Sequence, residues 1–190
     1  LWGRIVIDGI GGHAELAPNA WYAGGPVDAV QLTRQMLDGL DILNRRWMHD
    51  PRKNHPLMAM PNQIIITQLN VGEHPSSMAG RGEIVIDVQY LPHEKDEFGL
   101  GGHVKREIEA HVAAVCLADP YLKEHPARVE WILDADCAEV PADHPFVESF
   151  QGAVAAARLD PALSGFGAHS DIGLPTGLGN TPTVNFGPGD

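Results

Sequence analysis

The sequence predicts an α+β domain in which a four-stranded antiparallel sheet carries two helices on one face. Three observations predict it: two long segments with apolar residues at helical spacing, four short segments rich in β-branched residues, and their order along the chain. That order is strand, helix, strand, strand, helix, strand. It is the split βαβ arrangement of ferredoxin-like domains.

The first strand and the first helix are expected over residues 3–12 and 26–49. The strand is short, β-branched and closed by glycines, and Pro26 stands where a first helical residue belongs. The helix is indicated by apolar residues at helical spacing: Val27, Val30, Met36, Leu37, Leu40, Ile42, Leu43 and Trp47.

The remaining elements of this unit are strands over residues 64–69, 83–90 and 129–133 and a second helix over 100–118. The strand at 83–90 alternates, which predicts one buried face and one polar face. Its expected buried residues are Ile84, Ile86, Val88 and Tyr90.

Two units are expected, at residues 1–138 and 139–190, because a proline-containing linker follows the fourth strand. The second unit should hold a helix over 146–159, a Gly-rich stretch and a short strand within residues 181–189. One helix and one strand cannot form a core, so this unit is expected to need further chain. The opening residues, without an initiator Met, favour a start inside a longer gene product.

Composition excludes several classes of protein. Apolar residues make up 44% and charged residues 20%, and no apolar run reaches the roughly 18–20 residues of a membrane span. The formal net charge of -12 would repel a phosphate backbone, so nucleic acid is not an expected partner. Cys116 and Cys137 form no CxxC pair and are interpreted as reduced thiols of a cytoplasmic protein.

A glycine-rich loop after the first strand carries His13. The glycines free the backbone before it, and Pro18 fixes the turn after it. A histidine delivered by such a loop can donate a hydrogen bond to a developing oxyanion. The alternative is an ordinary surface histidine.

A second glycine-rich segment, residues 165–180, surrounds Ser170 and Asp171 with small residues. It could offer backbone N–H groups to a carboxylate or phosphate, or it could be a long connection with helix-capping residues. The ten histidines include no HxxxH or HExxH pair, so no zinc site is expected within the chain. No GxSxG sequence supports a serine hydrolase.

In order along the chain, GRIVIDGIGGHAELAP, VGEHPSSMAGRGEIVIDVQYLP, AHSDIGLPTG and TPTVNFGPGD resemble the zinc metallopeptidase and deacylase family. That family contains acetylornithine deacetylase, succinyl-diaminopimelate desuccinylase, aminoacylase and glutamate carboxypeptidase. The resemblance implies a ferredoxin-like lid domain that forms a homodimer, inserted into an α/β zinc-hydrolase domain of which residues 139–190 are a fragment.

The resemblance further implies hydrolysis of N-acyl amino acids or small peptides by a water bound to zinc, with two zinc ions, or cobalt, in the full-length parent. His13 matches the histidine that reaches the partner subunit's active site and stabilises the tetrahedral intermediate. The family's metal ligands lie outside the segment that matches, so the fragment itself is expected to bind no metal and to be inactive.

Two positions depart from the family pattern. Relatives commonly place an Asn before the central strand and an Arg on it to hold a substrate carboxylate, where this sequence has Ser76 and Gln89. Gln89 carries no charge and cannot replace a bidentate arginine, so either the substrate lacks that carboxylate or another residue such as Arg81 binds it. Gln89 could also be an ordinary solvent-side strand residue.

Two rival functions remain open at the level of sequence. One is a non-catalytic dimerisation module that joins chains through an edge strand or helix. The other is a small-molecule-binding regulatory domain, because a βαββαβ fold by itself does not fix function.

Overall fold

The computed structural model describes residues 1–15, 20–59 and 62–187. Pro18, expected to fix the turn after His13, and residues 188–190, which include the end of the segment expected to hold a short strand, lie outside them. The elements are β1 Trp2–Asp8, β2 Gly12–His13, α1 Ala29–Met48, β3 Gln63–Val71, β4 Ser77–Met78, β5 Arg81–Gln89, α2 Gly102–Leu117, α3 Pro120–Glu124, β6 Arg128–Leu133 and α4 Pro145–Ala156. No helix in these ranges has the length and apolar character needed to cross a membrane.

The main sheet has four strands in the spatial order β3-β5-β1-β6, and every neighbouring pair is antiparallel. β1 lies between β5 and β6, and β5 lies between β1 and β3. Both edge strands, β3 and β6, are therefore paired on one side only. The predicted antiparallel four-stranded sheet with helices is confirmed.

The core lies between one face of this sheet and the two long helices. β5 alternates as predicted, with Ile84, Ile86 and Val88 almost completely buried. The buried helix residues that meet this face are Leu32, Met36, Leu40, Leu43 and Trp47 of α1 and Val104, Ile108, Val112 and Cys116 of α2. The helices approach closely at Gly39, where an added Cβ would overlap Val115.

Helix α1 begins three residues later than the sequence predicted, at Ala29 and not at Pro26. The backbones of Val27 and Ile10 exchange two hydrogen bonds, each N–H donating to the carbonyl of the other residue at 2.8 and 2.9 Å. This antiparallel bridge holds Val27 outside the helix. Asp28 then caps the helix, since its carboxylate accepts a hydrogen bond from the Val30 N–H at 3.0 Å.

Three further features differ from the sequence prediction. Asp119 caps the short helix α3, which was not predicted, by accepting hydrogen bonds from the N–H groups of Tyr121 and Leu122. Helix α4 ends at Ala156, before the left-handed residue Arg158, and not at residue 159. The strand predicted near the C-terminus is wrong for the described residues 181–187, which pair with no other segment and so form no ladder.

A buried ionic network anchors the connection between α1 and β3. The Lys53 side chain is 7% exposed, and its Nζ lies 2.6 Å from Glu94 and 2.9 Å from Glu107. It also lies 4.1 Å from the centroid of the Trp47 ring, whose indole N–H donates to Glu107 at 2.6 Å. Glu94 accepts a further hydrogen bond from Asn62. These groups tie both long helices to the loops at one end of the sheet.

Replacing Lys53 by alanine should lower the free energy of unfolding by about 3–5 kcal/mol, because two carboxylates would lose their buried cation. The matched control is Arg52→Ala, since the neighbouring Arg52 side chain is 87% exposed and pairs with Asp50 at the surface. Urea denaturation of the two variants measures the difference. Equal stability of the two variants would contradict a structural role for the network.

Candidate functional site

The loop that carries His13 is held against the loop between β3 and β5. β2 pairs with β4, so that His13 lies opposite Ser77. The N–H of Gly9 donates to the Gly80 carbonyl and the N–H of Ala14 donates to the Ser76 carbonyl, each at 2.9 Å. At Gly9 a side chain would overlap the Val27 carbonyl, which explains a glycine at this point. Backbone hydrogen bonds before and after His13 therefore fix the position of this residue.

The His13 imidazole is half-exposed, with a side-chain exposure of 51%. Its Nδ1 accepts a hydrogen bond from the Glu15 N–H at 3.4 Å. An Nδ1 that accepts a hydrogen bond leaves the proton of the neutral ring on Nε2. The ring therefore presents an N–H donor to whatever lies beyond this edge of the molecule.

Ser76 lies beside this loop and is oriented by His74. The Ser76 N–H donates to His74 Nδ1 at 3.2 Å, and the Ser76 hydroxyl lies 2.9 Å from the same nitrogen. The structure thus brings His13 and Ser76 together through the pairing of their loops. Sequence reasoning missed His74, although its position two residues before a serine is a spacing at which a histidine and a serine can hydrogen-bond locally.

Gln89 and Ser170 line a separate cleft at the opposite end of β5. The cleft has a volume of about 670 Å³ and lies between that end of the sheet and the C-terminal segments. The Gly165 N–H donates to the Leu57 carbonyl at 2.8 Å, and His55 lies 3.0 Å from Glu139, so both sides of the cleft are joined. Its walls include Tyr90, Cys137, Phe150 and Phe186.

The structure places the two groups of candidate residues far apart. β5 spans nine residues, with Arg81 at the His13 end and Gln89 at the cleft. At a rise of roughly 3.3 Å per residue these ends are about 26 Å apart. Within one chain His13 and Gln89 therefore do not share a site.

Asp171 is exposed and does not line the cleft, whereas Ser170 does and its hydroxyl accepts a hydrogen bond from Asn185 at 3.1 Å. Arg81, considered as an alternative partner for a substrate carboxylate, lies at the His13 end of β5. Its guanidinium is 2.7 Å from Glu83, with Asp8 also within 3.8 Å. The hydrogen bond from the guanidinium to Glu83 raises the pKa of Arg81.

The floor of the cleft is uncharged. The Tyr90 hydroxyl donates to the Ala135 carbonyl at 2.9 Å, and burial raises the pKa of this phenol. Burial likewise raises the pKa of the Cys137 thiol to about 11. Both groups are therefore neutral at physiological pH and offer weakly polar, not ionic, contacts.

The positions of the His, Cys, Asp and Glu side chains show whether the described residues could bind a metal. His169 and Asp171 form one His-x-Asp spacing, and both side chains are exposed. Within the described ranges, no three His, Cys, Asp or Glu side chains group as metal ligands would. The described residues therefore do not fit a zinc site.

No family model matches the sequence. The N-formyl-4-amino-5-aminomethyl-2-methylpyrimidine deformylase of Halalkalibacterium halodurans is 31% identical over 125 residues, which are 63% of this chain and 27% of the relative. The chain therefore spans about a quarter of the length of this curated relative.

Solved structures of several hydrolases resemble the chain. A tripeptidase from Staphylococcus aureus has a TM-score of 0.62 at 12% identity, over 94% of this chain and 40% of its own. The aminopeptidase PepT of Bacillus cereus has a TM-score of 0.57 at 18% identity, over 95% of this chain and 41% of its own. A hydantoinase/carbamoylase family amidase from Burkholderia ambifaria has a TM-score of 0.52 at 15% identity, over 89% of this chain and 35% of its own. The chain shares its fold with part of these hydrolases.

With Cys116 replaced by alanine, Cys137 is the only thiol and its ionisation can be followed by thiolate absorbance. In the folded protein the midpoint should lie near pH 11, and in urea near the ordinary value of 9.0. Because the folded pKa is the higher one, the stabilising effect of the protonated thiol is complete below pH 9 and is lost as the pH rises towards 11. A folded-state midpoint near 9 would contradict a dry cleft floor.

Proposed function

We propose that this chain is part of a longer metal-dependent amidohydrolase that cleaves the amide bond of small N-acylated amines, N-acyl amino acids or peptides. Residues 1–138 serve as its ferredoxin-like lid and dimerisation domain, and residues 139–190 belong to its α/β catalytic domain. The fold shared with peptidases and amidases, and the similarity to a deformylase, support this assignment.

The separation of His13 from the cleft is the observation that carries the proposal. An N–H donor presented at one end of the sheet and a cleft at the other end cannot act on one substrate molecule within one chain. In a two-fold dimer, each His13 can reach the cleft of the partner subunit. The site is then shared between two chains.

The unpaired edge of β3 is the surface best suited to that dimer. Ile65, Ile66 and Leu69 on this edge strand are 38–50% exposed. Helix α1 packs against β3, and its residue Ile42 is 48% exposed. A strand with a free row of N–H and C=O groups and exposed apolar side chains favours pairing with a second copy.

In this assembly His13 donates its Nε2–H to the oxygen of the amide carbonyl as that oxygen gains negative charge. Water adds to the carbonyl carbon, the C–N bond breaks, and the amine leaves with a proton from that water. Ser76, held by His74, supplies a hydroxyl beside His13. Gln89 and Ser170 bind the rest of the substrate in the cleft.

Zinc, as two ions, or cobalt would supply the hydrolytic water in the longer protein, and the ligands would have to come from residues other than those described. The chemistry assigned to this chain is therefore restricted to binding, orientation and stabilisation of charge. A cytoplasmic location is part of the same proposal.

Replacing His13 by alanine in the full-length protein should lower kcat by ~10²–10³, the usual effect of removing one oxyanion donor. The matched control is His49→Ala, since His49 is an exposed histidine at the end of α1. Hydrolysis of a panel of N-formyl and N-acetyl amines, N-acyl amino acids and dipeptides measures the effect. Metal content and dimerisation are measured in parallel, and both should be unchanged.

Two results would go against the proposal. If the full-length protein is active and His13→Ala leaves its kcat unchanged, His13 has no catalytic role in the partner's site. If the full-length protein cleaves no member of the panel, the proposed hydrolase activity is wrong and a dimerisation module is favoured.

A further inference from the structure

The cleft beside Gln89 carries no cationic lysine or arginine among its described lining residues, but it carries four carboxylates. These are Asp87, Asp136, Glu139 and Asp160. The potential in a cleft with low-dielectric walls follows the sign of its lining charges, so the cleft as described attracts cations and repels anions.

Two of the four carboxylates have a basic side chain within contact distance. Lys95 lies 3.3 Å from Asp136, and His55 lies 3.0 Å from Glu139. Asp87 and Asp160 form no salt bridge within the described residues; Asp160 accepts a hydrogen bond from the Ala162 N–H at 2.9 Å. Asp87 stands two residues before Gln89 on β5, and both therefore point to the same face of the sheet.

Gln89 supplies a neutral amide next to this carboxylate. A Cβ added at Gly167 would lie 3.6 Å from Gln89 Oε1 and 3.9 Å from its Nε2, which is van der Waals contact, so Gly167 borders the amide and a larger side chain there would cover it. The amide can donate and accept hydrogen bonds but cannot compensate a full negative charge. A carboxylate placed here would lose hydration without gaining a cation.

Aromatic side chains form another wall. The rings of Phe150 and Phe186 meet edge to face, with centroids 5.4 Å apart. Phe166 also lines the cleft, together with the neutral Tyr90 and Cys137. Flat rings pack well against such walls, and the neighbouring carboxylates favour rings or amines that carry a proton.

We propose that the cleft selects N-acylated amines whose amine portion is an aromatic or heteroaromatic group, neutral or cationic, without a free carboxylate. Gln89 and Asp87 determine this specificity. The inference rests on the proposed amide hydrolysis and narrows its substrate class: a formamide of such an amine and water give formate and the free amine. N-acyl amino acids are the class that this cleft rejects.

N-formylbenzylamine and N-formylphenylglycine test the inference directly, because they differ by a single carboxylate. With the full-length dimer, kcat/KM for N-formylbenzylamine should exceed that for N-formylphenylglycine by at least ~10-fold. Gln89→Arg should narrow or reverse the ratio by placing a cation beside the carboxylate. His49→Arg adds the same charge at an exposed position that does not line the cleft, and it should leave the ratio as it is in the wild type.

Binding of the products gives a second measurement that does not depend on turnover. Calorimetry should show tighter binding of benzylamine than of phenylglycine by the wild type, and the reverse order for Gln89→Arg. The inference is overturned if the wild type hydrolyses N-formylphenylglycine at least as well as N-formylbenzylamine and binds phenylglycine at least as tightly as benzylamine. Amide hydrolysis itself would then still stand. Absence of hydrolysis for every substrate overturns the proposed function, and product binding then still decides the selectivity of the cleft.

Discussion

The antiparallel register of β5 is the constraint on which the rest of the structure depends. β5 pairs with β1 on one side and β3 on the other, so Gly82 lies opposite Ile7 and Val71, while Gln89 lies opposite Gln63. This register buries one face of the strand against both helices and leaves Asp87 and Gln89 on the other face. It also directs one end of β5 to the His13 loop and the other end to the cleft.

Much of the fold could be predicted from the sequence because the periodicity of apolar residues is strong where a segment has one dry face. β5 and α1 are of this kind. The expected residues of β5 are buried, and so are Met36, Leu40, Leu43 and Trp47 of α1, whereas Val30 and Ile42 are exposed. The start of α1 was misplaced because Val27 is held by Ile10, a contact between segments that no local pattern reports. The C-terminal strand was wrong because TPTVNF has strand composition but no neighbouring strand in the described chain, and a strand is stabilised by its ladder.

The candidate site could be predicted only in part. The glycines before His13 indicated a special loop, and the structure accounts for them by the close approach of Gly9 to Val27 and the pairing of β2 with β4. The distance between His13 and Gln89 could not be read from the sequence, since both lie near ends of strands and the strand register decides which ends meet. The carboxylates around Gln89 come from three separate segments, which only the fold brings together.

The central claim is that one site is built from two chains, and mixing of inactive subunits tests it most directly. His13→Ala removes the donor, and Gly167→Trp covers the Gln89 amide, so each full-length variant alone should be inactive. After subunit exchange, about half of the dimers are mixed and one of their two sites is intact, which predicts recovery of roughly a quarter of wild-type activity. Recovery should disappear when Ile66→Lys on the β3 edge is added to both variants. A mixture that exchanges subunits and stays inactive would contradict a site shared between chains.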